Sequence, residues 1–127
     1  MKNLLTFALC ILSYALPAST TDSPIACNLG VLNAEQRKQH EALGRKIFSS
    51  VLAQRRTLNG YAFKLDRSRI SSSEIGEWIA MEERCCPFFD IGFEIEREGR
   101  ALTLTLGGRA GVREFIESEL REIHGNR

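Results

Sequence analysis

The sequence predicts a two-layer α+β domain, in which helices cover one face of a three-stranded, mainly antiparallel sheet. Three stretches place apolar residues every three or four positions, which is typical of amphipathic helices. Three other stretches alternate apolar and polar residues, which is typical of half-buried strands. The predicted order of the elements is α-β-α-β-β-α, and the chain of 127 residues is long enough for one core of this kind.

The first helix is predicted from Ala34 to about Arg55. Asn33 precedes it as a capping residue, and Gln36 stands at the position from which a side chain can return the capping hydrogen bond. Helical spacing predicts one buried face on this helix, which carries His40, Leu43, Ile47, Phe48, Val51 and Leu52.

Alternating stretches predict the three strands. The first follows the turn Asn59-Gly60 and covers residues 61–65. The other two, at residues 89–96 and 102–106, are joined by the tight turn Glu98-Gly99. Each pattern places its large apolar side chains on one face of the sheet. The opposite face is polar and includes Asp90, Glu94, Glu96, Thr103 and Thr105.

Capping and periodicity predict two more helices. Ser71 and Glu74 have the spacing of a capping box at the start of the second helix. Pro87 disfavours helical geometry at the residue before it, so we expect this helix to end at Arg84 or Cys85. The second helix buries Ile75, Trp78 and Ile79, and the last helix, from Val112 to His124, buries Val112, Phe115, Ile116, Leu120 and Ile123.

The N-terminus has the layout of a secretory signal peptide. A short positive start is followed by an apolar run from Leu4 to Leu16, and small residues suitable for cleavage come next. We therefore expect cleavage after Ala18 and export to the periplasm or the medium, with lipidation of Cys27 as an open alternative. The chain then divides into a signal peptide at 1–18, an N-terminal segment with Cys27 at 19–32, and one α+β domain at 33–127.

Charge and motif content exclude several classes of function. The chain has 17 basic and 16 acidic residues, and signal removal takes away only Lys2, which leaves 16 of each. Nucleic acid is therefore not expected as a partner, because phosphate binding needs a basic stripe. No transmembrane segment is expected after signal removal. No Ser/His/Asp arrangement, inward-facing carboxylate pair or phosphate loop is present, so the sequence indicates neither a catalytic centre nor an organic cofactor.

Two adjacent cysteines, Cys85 and Cys86, are the strongest chemical signal in the chain. Neighbouring Cα atoms are about 3.8 Å apart, whereas unstrained disulfides need roughly 4.4–6.8 Å. The pair is therefore predicted to be two free thiols, a labile redox pair or two ligands of a soft metal ion. Signal removal also takes away Cys10 and leaves three cysteines, so a disulfide from Cys27 to one member of the pair is an alternative.

The surroundings of the pair favour metal ligation over nucleophilic chemistry. A helix C-terminus and neighbouring carboxylates disfavour a thiolate, whereas a bound cation deprotonates a coordinating thiol by its own charge. Thiolates from Cys27, Cys85 and Cys86 would suit trivalent arsenic or divalent mercury, and the addition of His40 gives a set acceptable to zinc. This site requires the N-terminal segment to fold back over the end of the second helix.

Three polar residues near the cysteines have both a functional and a structural interpretation. His40 lies on an apolar stripe, where a hydrogen-bonded interior histidine is the alternative to a metal ligand. Glu82 shares the thiol face, and it either accepts a hydrogen bond or a proton beside the ligands or pairs with an arginine at the core edge. Arg84 opposes the charge of the carboxylates next to the pair.

Several short motifs together carry a resemblance to a known family. They are Cys27-Asn28-Leu29, Glu35-Gln36-Arg37, Gly60-Tyr61-Ala62-Phe63, Glu77-Trp78-Ile79, Glu82-x-x-Cys85-Cys86-Pro87-Phe88-Phe89 and Gly111-Val112-x-x-Phe115. The combination resembles small bacterial proteins that share a Glu-x-x-Cys-Cys-Pro-Phe motif, some of them linked to heavy-metal resistance. The resemblance implies that the three cysteines belong together, and it assigns no activity. Such proteins usually look cytoplasmic, whereas this chain carries a predicted export signal.

Three functions remain open on the sequence alone. The first is capture of a thiophilic metal or metalloid ion through the vicinal cysteines with help from Cys27. The second is a thiol redox protein in which Cys27 and the pair exchange disulfides with a thiol partner. The third is a non-catalytic interaction module, in which the cysteines are structural and the polar face of the sheet meets a partner.

Overall fold

The computed structural model describes residues 21–125, so the predicted signal peptide at 1–18 lies outside the described residues. The described part contains three α-helices and a four-stranded antiparallel sheet in the order α-β-β-α-β-β-α. The elements are α1 (Ala34–Ser49), β1 (Val51–Arg56), β2 (Gly60–Leu65), α2 (Ser72–Cys85), β3 (Asp90–Ile95), β4 (Leu102–Gly107) and α3 (Val112–Gly125). The α+β class is confirmed.

The prediction of three strands and of a first helix reaching Arg55 is wrong. Helix α1 ends at Ser49, and the residues after it form strand β1. The helical hydrogen bonding stops at Ser50, because its backbone N–H donates to the Ile47 carbonyl three residues earlier at 3.0 Å and its own carbonyl accepts from the Asp66 backbone N–H at 2.8 Å. Leu52, expected on the buried face of the helix, is 64% exposed on this strand.

The sheet order is β1-β2-β4-β3, and every neighbouring pair is antiparallel. Leu104 of β4 stands opposite Phe63 of β2 on one side and Phe93 of β3 on the other, so the three side chains share one face. Phe63 and Leu104 are fully buried there. On the other face, Glu94 is exposed and its partner Thr103 is half-buried. The predicted division of the strands into an apolar and a polar face is therefore confirmed.

Side chains from all three helices join the apolar side chains of the sheet in one core. Ile47 of α1, Ile75 and Trp78 of α2, and Ile116 of α3 are buried in the same cluster as Phe63. Ile123, which was expected to face inward on α3, is 37% exposed because the last turns of that helix extend past the core. Among the described residues, no helix combines the length and the apolar character needed to cross a membrane.

Both predicted capping boxes and the predicted hairpin turn are present. The Asn33 side chain accepts from the Gln36 backbone N–H at 2.9 Å, and Ser71 caps α2 in the same way with Glu74. Glu98 has a φ of 61°, in the left-handed region that a tight hairpin turn requires. Helix α2 ends at Cys85, as the proline two residues later predicts.

Candidate thiol and metal site

The end of helix α2 positions the vicinal cysteines. Cys85 is the last helical residue, and Cys86 leaves the helix with φ −128° and ψ 61°. Both side chains are buried, with exposures of 0% and 1%. Because the backbone changes direction between the two residues, their side chains stay on the same side of the chain, and the Sγ atoms lie 3.5 Å apart.

Cys27 forms a disulfide with Cys86, across a Cα–Cα distance of 4.5 Å and 59 residues of sequence. The prediction that both adjacent cysteines are free thiols is therefore wrong for Cys86. The structure contains the alternative, a disulfide from Cys27 to one member of the pair. Cys85 is the free cysteine of the described residues. The N-terminal segment brings Cys27 to the end of α2, as the three-sulfur site requires.

Two hydrogen bonds help to hold the N-terminal segment in this position. The Asn28 N–H donates to the Cys85 carbonyl at 2.7 Å, so one of the last carbonyls of α2 is satisfied by this segment. The Arg84 guanidinium donates to the Val31 carbonyl at 2.9 Å. Arg84 is exposed and anchors the segment through this hydrogen bond, and its positive charge lowers the pKa of Cys85.

Polar atoms surround the buried Cys85 thiol. Its Sγ lies 3.7 Å from His40 Nε2, 3.7 Å from the Glu82 carbonyl and 3.8 Å from Glu82 Oε2. Burial and, next, the negative charge of Glu82 raise the pKa of Cys85 to about 11. At neutral pH Cys85 is therefore a protonated thiol that can donate to its carboxylate or carbonyl neighbour.

His40 and Glu82 form a close polar pair beside the thiol. His40 Nε2 lies 2.5 Å from Glu82 Oε2, and the two side chains are 16% and 7% exposed. The His40 ring also stacks against Trp78, with centroids 6.0 Å apart and planes 14° from parallel. The hydrogen-bonded interior histidine that the sequence allowed is therefore present, and it lies at the sulfur cluster.

Two overlapping groups of side chains have the spacing of metal ligands among the described residues. Cys27, Glu82 and Cys86 form one group, and His40, Glu82 and Cys85 form the other. Within each group the candidate ligand atoms lie within 4.8 Å of one another. Glu82 is predicted beside the ligands, and its carboxylate belongs to both groups. Its position one helical turn before the cysteines is the sequence signal for this.

A cavity of about 770 Å³ opens next to the disulfide. Its wall includes Cys27, Cys86, His40 and Glu82, which lie close to one another, and the charged residues Arg37, Lys38, Glu41 and Glu119. The rest of the wall is mainly apolar and comes from all three helices and the chain around β3 and β4, including Phe48, Trp78, Phe89, Leu106, Phe115, Ile116 and Leu120. Cys85 lies behind this wall and does not line the cavity.

Sequence reasoning assigned these aromatic residues to the core and missed the cavity. Gly44, on the apolar face of α1, is the residue from which the sequence could have indicated the cavity. A glycine on such a stripe predicts close packing against the sheet, yet Gly44 faces Trp78 Nε1, 3.4 Å from where a Cβ would stand, and it lines the cavity. A glycine on the apolar face of a helix can thus indicate a cavity as well as close packing.

Comparison with known proteins adds no family to this description. No protein-family model, no curated protein and no solved structure matches the chain. The similarity to proteins with the Glu-x-x-Cys-Cys-Pro-Phe motif therefore remains a resemblance that rests on the motifs themselves. The arrangement of the cysteines, His40 and Glu82 is therefore the main evidence for function.

Proposed function

We propose that this protein, with its Cys27–Cys86 disulfide reduced, captures a thiophilic metal or metalloid ion such as trivalent arsenic or divalent mercury as its cargo. One observation carries the proposal: three cysteine sulfurs gather at the end of α2. Cys86 is bonded to Cys27, and its Sγ lies 3.5 Å from that of Cys85. Thiolate clusters select soft cations over hard ones.

The surroundings of Cys85 support a ligand rather than a nucleophile. A thiol whose pKa is raised to about 11 is almost entirely protonated at neutral pH, and a protonated thiol is a poor nucleophile. A soft cation displaces that proton by its own charge. Glu82, whose Oε2 lies 3.8 Å from the Cys85 Sγ and also contacts His40, is placed to receive the proton.

Capture by all three sulfurs requires prior reduction. A dithiol reductant breaks the Cys27–Cys86 bond, gives two protein thiols and becomes a disulfide itself. Arsenous acid then exchanges its three hydroxyl groups for three thiolates and releases three waters. Divalent mercury binds two thiolates and releases two protons. Among residues 21–125, the oxidised protein offers one thiol, Cys85, so we expect it to bind either ion much more weakly.

Titration of the reduced and oxidised protein with As(III) and Hg(II) tests this proposal. We expect one equivalent of ion per reduced protein, with sulfur-to-metal absorbance and protection of the thiols from alkylation, and no comparable binding to the oxidised protein. Cys27→Ser, Cys85→Ser and Cys86→Ser should each weaken As(III) binding. Unprotected thiols in the reduced protein at stoichiometric As(III) and Hg(II) would exclude the proposed function.

Thiol–disulfide exchange is the second candidate, and the position of the free thiol favours it. The Cys85 thiolate could attack the Cys86 Sγ at 3.5 Å, form a Cys85–Cys86 bond and release the exposed Cys27 as a thiolate that takes up a proton. The raised pKa of Cys85 opposes this step. Disulfide mapping in buffers of graded redox potential distinguishes the two functions, because exchange predicts a populated Cys85–Cys86 or Cys27–Cys85 bond.

A further inference from the structure

The cavity beside the disulfide indicates what kind of cargo the sulfur site accepts. We propose that the cargo is a metalloid that carries one apolar organic group, such as a monoaryl compound of trivalent arsenic, and that the organic group occupies the cavity. This inference rests on the proposed function, because it assumes that the reduced cysteines bind a thiophilic centre. It adds the chemical class of the cargo.

The size and lining of the cavity support this class. A volume of about 770 Å³ lies within the range of small-molecule sites, whereas a bare ion needs space comparable to one water, roughly 30 Å³. Cys27, Cys86, His40 and Glu82 form only part of the lining, which is mainly apolar. Aromatic rings line much of the remainder, and Phe89 and Phe115 meet edge to face with centroids 5.9 Å apart.

The number of sulfurs that reach the cavity also matches a substituted metalloid. Trivalent arsenic holds three groups, so inorganic arsenic uses three thiolates, whereas a monoaryl compound already has one carbon and uses two. Cys27 and Cys86 line the cavity, and Cys85 does not. Phenylarsenous acid would exchange its two hydroxyl groups for these two thiolates, release two waters and keep its arsenic–carbon bond. The phenyl group would then extend along the apolar walls.

Two arsenic compounds of equal valence provide the decisive comparison. Methylarsenous and phenylarsenous acid each use two thiolates, so their affinities for the reduced protein differ through the organic group alone. We expect phenylarsenous acid to bind at least about tenfold more tightly, because the larger group buries more apolar surface in the cavity. Cys85→Ser should retain this binding, whereas Cys27→Ser and Cys86→Ser should abolish it.

Substitutions in the cavity wall test where the organic group binds. Leu120→Trp, at a half-buried position on α3, and Ile123→Trp, near the rim, should reduce the preference for phenyl over methyl to about threefold or less. Leu52→Trp is the matched control, because this residue is 64% exposed on β1 and does not line the cavity. It should keep the full preference, and so confirm that added bulk elsewhere has no effect.

The outcomes separate this inference from the proposed function. If the reduced protein bound both compounds with equal affinity, the cavity would contribute nothing and this inference alone would be overturned. A preference that persisted in both Leu120→Trp and Ile123→Trp would overturn the assigned position of the organic group. If the reduced protein bound neither compound nor inorganic As(III), the proposed function and this inference would fall together.

Discussion

The imidazole of His40 donates from Nε2 to the Glu82 carboxylate across 2.5 Å, and this contact joins helices α1 and α2 directly beside the Cys85 thiol. The same carboxylate oxygen lies 3.8 Å from the Cys85 Sγ. Glu82 therefore faces both a nitrogen donor and a sulfur donor. It is only 7% exposed, so its charge acts on these neighbours with little screening by water.

Replacing Glu82 by glutamine should lower the pKa of Cys85. The negative charge of Glu82 is, after burial, the largest cause that raises this pKa to about 11. Burial remains in the variant, so we expect the pKa to fall but to stay above its ordinary value of 9.0. Ultraviolet absorbance of the thiolate during a pH titration, with Cys85→Ser as the blank, measures the change.

Glu83→Gln is the matched control for this prediction. Glu83 is the exposed neighbour of Glu82 on the same helix, and it has the same charge. Solvent screens an exposed carboxylate, so its removal should leave the pKa of Cys85 nearly unchanged. Equal shifts in Glu82→Gln and Glu83→Gln would show that the close contact of Glu82 with the thiol is not what raises this pKa.

The stability of the oxidised protein should fall between pH 9 and pH 11 because of Cys85. The unfolded chain releases the thiol proton near 9.0, whereas the folded protein keeps it until about pH 11. The unfolded state binds fewer protons between pH 9 and pH 11, so the free energy of unfolding decreases as pH rises. The stabilisation from Cys85 is fully present below pH 9. Two pKa units correspond to at most about 3 kcal/mol.

Urea unfolding at pH 8 and pH 10.5 checks this contribution. Lysines and tyrosines also titrate at high pH, so the informative quantity is the difference between the wild type and Cys85→Ser. We expect the wild type to lose about 1–3 kcal/mol more than the variant over this interval. Parallel losses in the two proteins would mean that burial of Cys85 does not couple its ionisation to folding.

Reduction of the disulfide should destabilise the fold without unfolding the core. The bond closes a loop of 59 residues, and loop-closure entropy for such a length corresponds to about 4 kcal/mol. Asn28 and Arg84 still attach the N-terminal segment to α2 after reduction, so the core of helices and sheet should persist. Denaturant unfolding of the oxidised and reduced proteins, compared with Cys27→Ser, measures the loss. If reduction left the unfolding midpoint unchanged, the segment would already be independent of the core.

Short sequence patterns predicted the helices and strands correctly where a pattern is compatible with only one type of element. Ser71 with Glu74 predicts a helix start, because the two side chains can satisfy backbone groups only in that geometry. Strand β1 shows the limit of such signals. Val51 and Leu52 fit the periodicity of the preceding helix, although a β-branched residue such as Val51 is also common in strands. These residues form a strand because they pair with β2, as Arg56 does with Tyr61. Such pairing depends on the assembled sheet and not on the local sequence.

The sequence predicted which residues lie together at the site, but only partly which of them bond to one another. The three cysteines, His40 and Glu82 all lie within one cluster at the end of α2. The sequence left open which of Cys85 and Cys86 would bond to Cys27. Cys85 is the last helical residue and is surrounded by His40 and Glu82, whereas Cys86 has left the helix and reaches the N-terminal segment.

By itself, the sequence determined the two-faced strands, the capped helices and the unusual density of sulfur near Pro87. These follow from residue type and spacing within a few positions of the chain. Only the tertiary structure decided the fourth strand, the Cys27–Cys86 bond, the His40–Glu82 pair and the apolar cavity beside them. Each of these depends on how segments far apart in sequence pack together, and no local pattern specifies that packing.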